Sequence, residues 1–478
     1  MFAAMDTTDP ALMTAETLLT LYARRSLSPT EALRAITERI ARLNPRTNAF
    51  AVLDPRALAA AGESAARWRS GRPLGPLDGV PVTVKDLIDV AGLPTRRGSR
   101  LTDTAPVEDD APLVVSLRAA GAVVLGKTTT TEFGWKTPGD NPLHGITRNP
   151  WDTRQTPGGS SSGAAAATAA CFGPLHVGTD AGGSLRIPAA WCGVAGLKPT
   201  FGRVPQWPLG AFGGVAVAGP MARSVRDLAL LLGTLARHDA RDPFCLPDDA
   251  RDWRDGIEGG VAGLRVAVLA RPGFEAAVDW DGIAAVEAAA GALIDAGAEV
   301  EQPNLADLGI DLPDIRDAFG RLWAVALGRV VDAIPATRRH MMDPGLVQVA
   351  ASALDITGAD MLEAELLRVH AAHAMARLHQ RYDLVLCPTV PGPPMSAEAL
   401  TADPATALWT QWAPWTALFN LTRQPAASVP AGLGSTGLPR AVQVAAALYR
   451  DDLVLRAARV LERVFPPTSP DLDAAAEA

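Results

Sequence analysis

The feature that most constrains this chain is an alternation, beginning at Gly79, of short β-branched runs with stretches of helical period. Gly79-Val80-Pro81-Val82-Thr83-Val84 reads as a strand, Pro112 to Ala120 as a helix and Ala122-Val123-Val124-Leu125 as a second strand. Elements taken in turn like this pack as layers, so the fold class is α/β. Helical period returns after Ser224, over Val225 to Leu235, Ile283 to Ala296, Ile315 to Ile334 and Leu362 to Arg381. Strand-like pieces, Leu264 to Leu269, Leu384 to Cys387 and Ala441 to Ala447, lie among them.

Ahead of the alternation, Ala15 to Arg25 and Pro29 to Leu43 read as a helical hairpin over about 12–45. Its second helix is opened by Ser28 as N-cap, with Glu31 three residues on. No internal repeat and no linker divides the chain, so residues 1–478 are read as a single large domain. Its catalytic core is expected over about 75–235, a less regular lobe over about 240–380, and a return to the core over about 381–465. Residues 128 to 223 are dense in Gly, Ser, Thr and Pro, a texture that also suits a linker. Trp135, Trp151, Trp191, Phe201 and the apolar run Ala164 to Ala170 argue instead for ordered loops laid over a core, where catalysis is usually carried.

The net charge of −8 disfavours nucleic acid as the main partner, because phosphate binding needs clustered Lys and Arg. The four cysteines, Cys171, Cys192, Cys245 and Cys387, are scattered, with no C-x-x-C pair to bind zinc, and reduced thiols in a cytoplasmic protein are expected. The N-terminal residues show no basic stretch leading into an apolar one, and no run of 18 apolar residues follows, so no membrane contact is expected. His370 and His373 share a helix without an H-E-x-x-H pattern and read as a solvated face; no metal and no cofactor is expected.

Of 44 basic residues only Lys85, Lys127, Lys136 and Lys198 are lysine. A chain that otherwise writes its positive charge as arginine has a chemical reason to keep a lysine, since a buried ammonium can lose its proton and a guanidinium cannot. Lys85 ends the apolar run Val82-Thr83-Val84, a position that desolvates it and makes a neutral amine available as a base. Thr156 to Ala165 is a glycine-serine turn entering an alanine-rich helix, suited to cradling an anion but lacking the ending of a Walker loop. Around Ser161 it also spells G-x-S-x-G, yet the strand such a nucleophile elbow requires is replaced by Arg148 to Arg154. In Gly178-Thr179-Asp180-Ala181-Gly182-Gly183-Ser184 two glycines before a serine let main-chain N–H groups converge beside its hydroxyl, as an oxyanion hole requires. Asp180 and Arg186 suit a pair that braces this turn.

Together these segments resemble the amidase signature family, whose order and spacing of lysine, first serine and second serine are met by Lys85, Ser160 and Ser184. The likeness extends through Asn149 to Asp152, Cys192 to Thr200 and Gly219 to Ser224, and more weakly over Ser28 to Phe50, Tyr382 to Pro394 and Phe419 to Pro430. The resemblance implies a mixed central β-sheet covered by helices on both faces, and it implies that Ser184 forms an acyl-enzyme and that Ser160, preceded by a cis peptide, links it to Lys85 as the base. The amides of Ala181, Gly182, Gly183 and Ser184 would hold the oxyanion. Many relatives carry Ser-Leu-Asp where Gly214-Val215-Ala216 stands, and glycine where Arg423 stands. The apolar loop from Gln206 to Phe212 suggests an aryl or alkyl pocket lined by Trp207, Leu209, Phe212 and, from an earlier turn, Trp135. The expected activity is hydrolysis of a small amide, with esters and carbamates (urethanes) open, by a chain that acts alone or as a homodimer. Two rival readings stand beside it. The glutaminase subunit of a tRNA-dependent amidotransferase lacks support from any glutamine-binding segment found between residues 310 and 360. A non-catalytic anion-binding protein would keep only the glycine-rich turn.

Overall fold

The computed structural model describes residues 8–249, 251–270, 278–304, 306–398 and 414–472. The expected alternation is met in the strands β1 (Phe50–Leu53), β2 (Pro81–Lys85) and β3 (Val123–Thr128) and in the helices α1 (Ala15–Ala23), α2 (Pro29–Thr47), α3 (Ala57–Arg69) and α4 (Pro112–Ala119). The predicted capping box opens α2: Ser28 Oγ accepts from the Glu31 amide at 3.2 Å and Glu31 Oε2 from the Ser28 amide at 2.8 Å. The helix runs past its expected end at Leu43 and stops at Thr47, where Asn48 turns left-handed.

After a two-stranded hairpin, β4 (Asp140–Asn141) and β5 (Gly145–Ile146), come α5 (Ser162–Ala169), β6 (Leu175–Asp180), α6 (Arg186–Cys192), β7 (Ala195–Lys198), β8 (Val217–Ala222) and α7 (Val225–Leu235). The later part supplies β9 (Arg265–Val268), α8 (Trp280–Asp295), β10 (Glu299–Glu301), α9 (Leu312–Asp332), α10 (Pro344–Ala351), α11 (Gly358–Arg381), β11 (Leu384–Pro388), α12 (Pro414–Leu421), β12 (Ala426–Leu433), β13 (Pro439–Ala446) and α13 (Asp451–Val464). One mixed sheet of 11 strands takes the order β1-β3-β2-β6-β8-β7-β12-β13-β11-β9-β10. Toward the β1 edge of the sheet β2 lies parallel to both β3 and β6, with Val84 opposite Lys127 on one side and Val177 on the other.

The sheet sorts its side chains by alternation. Val266, Val268, Leu384, Leu386, Val442 and Val444 face one core with α7, α8 and α13. Their neighbours Ala267, Val385, Cys387 and Ala445 face a second core with α9, α11 and α12. The lobe expected to be less regular, 240–380, is therefore corrected: its strands β9 and β10 belong to the main sheet, and α9 and α11 are the longest helices described, at 21 and 24 residues. Among the described residues no helix is long and apolar enough to cross a membrane, and no group of His, Cys, Asp and Glu is placed to hold a metal. His370 and His373 lie exposed on α11.

Candidate active site

Lys85 reaches the site because β2 is buried over its whole length and ends there. Its Nζ lies 2.8 Å from Ser160 Oγ, 3.0 Å from Ser161 Oγ and 2.9 Å from Thr179 Oγ1. Burial pushes its ammonium well below the ordinary lysine range, against the attraction of Asp180. The other lysines are placed differently. Lys127 pairs with Asp86 at 2.7 Å, Lys136 pairs with Asp140 at 2.7 Å and Asp343 at 2.6 Å, and Lys198 donates to the Pro199 carbonyl at 3.0 Å.

Ser160 follows a cis Gly159–Ser160 peptide and precedes α5. Every residue of α5 is buried, which explains its alanines: a Cβ on Gly163 would strike the Ala49 carbonyl and Thr129. Ser161 donates to the Thr179 carbonyl at 3.1 Å and accepts from the Thr179 amide at 3.2 Å, so its remaining lone pair accepts from Lys85. Its own amide donates to the Ser184 carbonyl at 3.2 Å and ties the two serine turns together. Ser160, Thr179, Ala181 and Ser184 open onto one cavity holding about 890 Å³ of space free of atoms.

The turn before Ser184 is built on Asp180, which is wholly buried. Arg186 donates to it through Nε and Nη2, each at 2.9 Å, and also binds Gln443, the Thr416 carbonyl and Asn420. Burial would raise the Asp180 carboxyl, but Arg186 and the hydrogen bond from Asn420 overcome it and hold the group below the usual carboxylate range. The bracing pair expected from sequence is thus present. The Gly183 amide donates to Asp180 Oδ1 at 2.7 Å, which corrects the expected oxyanion set: an amide committed to a carboxylate has no proton left for a ligand. Ala181, Gly182 and Ser184 make no amide hydrogen bond among the described residues. Gly183 has a φ of 127°, and a Cβ there would come within 2.6 Å of Thr416 Oγ1.

Of the expected pocket residues, Trp207 and Phe212 line the cavity, Trp207 next to the cis bond before Pro208. Trp135 does not. It is 1% exposed, its ring lies against Gly345, and its neighbours Phe133 and Gly134 face the cavity instead, because Phe133 takes a left-handed φ of 50°. Leu209 also turns away and leaves Pro208 and Gly210 on the wall. Phe212 stacks on Trp323 of α9 at 3.9 Å between ring centroids, so the helical lobe closes one side. Arg423, unexplained in the sequence, donates to the Gly214 carbonyl at 3.2 Å and covers the Phe201 ring at 4.3 Å, securing the same loop. Sequence reasoning missed Thr179, Ser161 as a lysine partner, and the wall residues Leu87, Ile88, Phe133 and Val330. Only Ser161 left a signal, as the middle of three consecutive serines.

A family model described as Amidase matches residues 31–455, and the chain belongs to this amidase signature family of amide hydrolases. It is 35% identical over 457 residues to an acylamidase of Rhodococcus erythropolis, covering 93% of this chain and 94% of that one. It is also 35% identical over 494 residues to a subunit of the glutamyl-tRNA(Gln) amidotransferase of Salinispora arenicola, covering 97% and 99%. The crystal structure of a bacterial aryl acylamidase of the amidase signature family superposes with a TM-score of 0.87 at 28% identity, over 95% of this chain and 96% of that one.

Proposed function

We propose that the chain hydrolyses small aryl or alkyl amides through an acyl-enzyme on Ser184, with ester and carbamate hydrolysis open to the same chemistry. The observation that carries this reading is Lys85, a buried amine without a carboxylate partner among the described residues, held 2.8 Å from a serine that shares its cavity with Ser184. As a neutral amine, Lys85 donates its N–H groups to Ser161 and Thr179 and turns its lone pair to the Ser160 hydroxyl. Ser184 attacks the carbonyl as its proton passes to Ser160 and the Ser160 proton passes to Lys85. The amides of Ala181, Gly182 and Ser184 receive the negative charge, each donor worth about 3 kcal/mol in the transition state. The proton returns through Ser160 to the leaving nitrogen, and water then releases the acid from Ser184. His176, the histidine nearest in sequence to Ser184, takes no part: burial pulls it down to about 3, and its Nδ1 lies 2.7 Å from Thr83 Oγ1. The names of the acylamidase and aryl acylamidase relatives favour an N-acyl arylamine as substrate.

The likeness to the amidotransferase component supports a second reading, a glutaminase that works only with partner chains. Turnover of a 4-nitroanilide by the isolated chain separates the two: activity supports the free-standing amidase, and activity only with partner chains and glutamine supports the second. Labelling by a fluorophosphonate, lost in Ser184→Ala, is expected of either enzyme. Equal labelling of the variant, or none of the wild type, refutes the serine mechanism and leaves the anion-binding reading.

A further inference from the structure

Arg97 lines the same cavity as Ser184. Its neighbour Arg96 spends its guanidinium on Thr102 and the Ser99 carbonyl, whereas that of Arg97 has no hydrogen bond or ion pair among the described residues. Its main chain is nevertheless locked, with a left-handed φ of 54°, its amide donating to Asp86 at 3.1 Å and its carbonyl accepting from Phe133 at 2.8 Å. Asp89 also lines the cavity, with Oδ1 buried and without a hydrogen bond among the described residues, and it forms no ion pair with Arg97. A half-buried guanidinium with unused donors in the same cavity as a serine hydroxyl matches the planar, two-oxygen geometry of a carboxylate. We propose that Arg97 selects substrates bearing a carboxylate on the acyl or the amine side of the scissile bond; this rests on the acyl-enzyme reading above.

The test compares kcat/KM for butyryl and succinyl 4-nitroanilides, and for acetanilide and 4-acetamidobenzoate, which place the charge on the two sides in turn. Arg97→Gln is expected to lose roughly 10- to 100-fold on the carboxylate member of one pair and little on its neutral counterpart. Arg97→Lys is expected to restore part of the loss. Asp89→Asn, which removes a like charge from the cavity, is expected to raise the preference for the anion. Equal losses on neutral and anionic substrates overturn the assignment alone. Failure of the wild type to turn over any of the four overturns the acyl-enzyme reading and the assignment with it.

Helix α11 carries a separate feature on the face turned from the core. Leu362, Leu366 and Val369 are 63%, 51% and 54% exposed, and exposed His373 and Ala376 continue their alternating four- and three-residue spacing. The buried Ala364, Ala371, Ala374, Met375 and Leu378 occupy the opposite face. Turned end for end about the level of Val369, the stripe falls on itself to within one residue, Leu366 standing three positions before Val369 and His373 four after it, and it is flanked on one side by Glu363 toward its start and Arg377 toward its end. The geometry points to a second copy of this chain packed antiparallel along α11, about a two-fold axis at Val369. Leu362 then meets Ala376 of the second copy, Leu366 meets His373, and each Glu363 lies beside the other copy's Arg377. Glu363 is free to do so because its ion pair with Arg321 leaves its side chain 61% exposed.

Under mild oxidation, Val369→Cys is expected to form a disulfide-linked dimer much faster than Val464→Cys, an exposed control on α13. Leu366→Glu is expected to abolish the dimer that the wild type shows in sedimentation velocity. A wild type that sediments as a monomer at its highest attainable concentration, or a Val369→Cys no faster than its control, overturns the proposal.

Discussion

At the residue scale the proposed chemistry turns on whether Lys85 is neutral. Its burial and its three hydroxyl neighbours make charge unwelcome and a lone pair useful. Lys85→Arg is therefore expected to abolish 4-nitroanilide turnover as completely as Lys85→Ala, by about 10²-fold or more, since a guanidinium cannot accept the proton. Substantial activity in the Arg variant would refute the base role. Ser160→Ala is expected to lose a comparable factor in kcat with the fluorophosphonate site still present; a near-normal rate would make Ser160 structural. The basic form of Lys85 is lost as pH falls through its depressed value, so kcat/KM is expected to fall on the acid side of the profile. In a Lys85→Ala variant the residual rate should lack that limb.

At the scale of elements, a charged cluster fastens the helical lobe to the site. Lys136 bridges Asp140 and Asp343, Glu132 accepts from Ser99 at 2.6 Å through one oxygen and from the Asp343 amide at 2.6 Å through the other, and Phe133 between them faces the cavity. Burial lowers the Lys136 ammonium, but its two carboxylates overcome that and hold it above the ordinary value. Lys136→Met leaves the half-buried Asp140 and the buried Asp343 carboxylates without their shared cation, so urea titration is expected to show a loss of about 3–5 kcal/mol. The loss should shrink as pH falls and Asp140, whose carboxyl burial holds above the usual range, takes up a proton; a pH-independent loss would mean that packing, not charge, is what the lysine supplies. The cluster was illegible in the sequence because Asp343, at the start of α10, meets Lys136 and Glu132 only in space. The helices themselves were legible from caps and period, as α7 shows over Val225–Leu235. β7 and β8 were not read as strands, because Gly and Ala replace β-branched residues there. A Cβ on Gly196 would press on Ala189 of α6 at 2.8 Å, and one on Gly219 would meet the Leu197 carbonyl.

For the whole molecule, two buried groups shape stability against pH. Burial, aided by the charge of Arg186 and opposed by Asp180 and Asp451, pulls Lys198 down to about 7. Between that value and the 10.5 of an ordinary lysine the unfolded chain binds the extra proton, so stability rises with pH, by at most about 1.4 kcal/mol per pH unit. Burial raises Asp227 to about 6, against the amides of Ala15 and Glu16 that donate to it. Its contribution is complete below 3.8 and is lost as pH rises through 6. Chemical denaturation at several pH values should show the alkaline rise flattened in Lys198→Met; an unchanged slope would assign the rise to other groups, Lys85 first.

What the sequence determined by itself was local: the layered class, read from the period of its apolar residues, and the chemical type proposed for the site, read from a lysine ending an apolar strand and two serines in glycine turns. Those signals survive because each is set by neighbours a few residues away. Tertiary structure alone decided that Thr179 and Ser161 share the lysine, that Gly183 gives its amide to Asp180, and that Trp135 and Leu209 turn from the cavity while Phe133 and Arg97 face it. Each of these depends on which distant segments the sheet order brings together, and a side chain's direction at a turn is set by main-chain torsions that residue type leaves open.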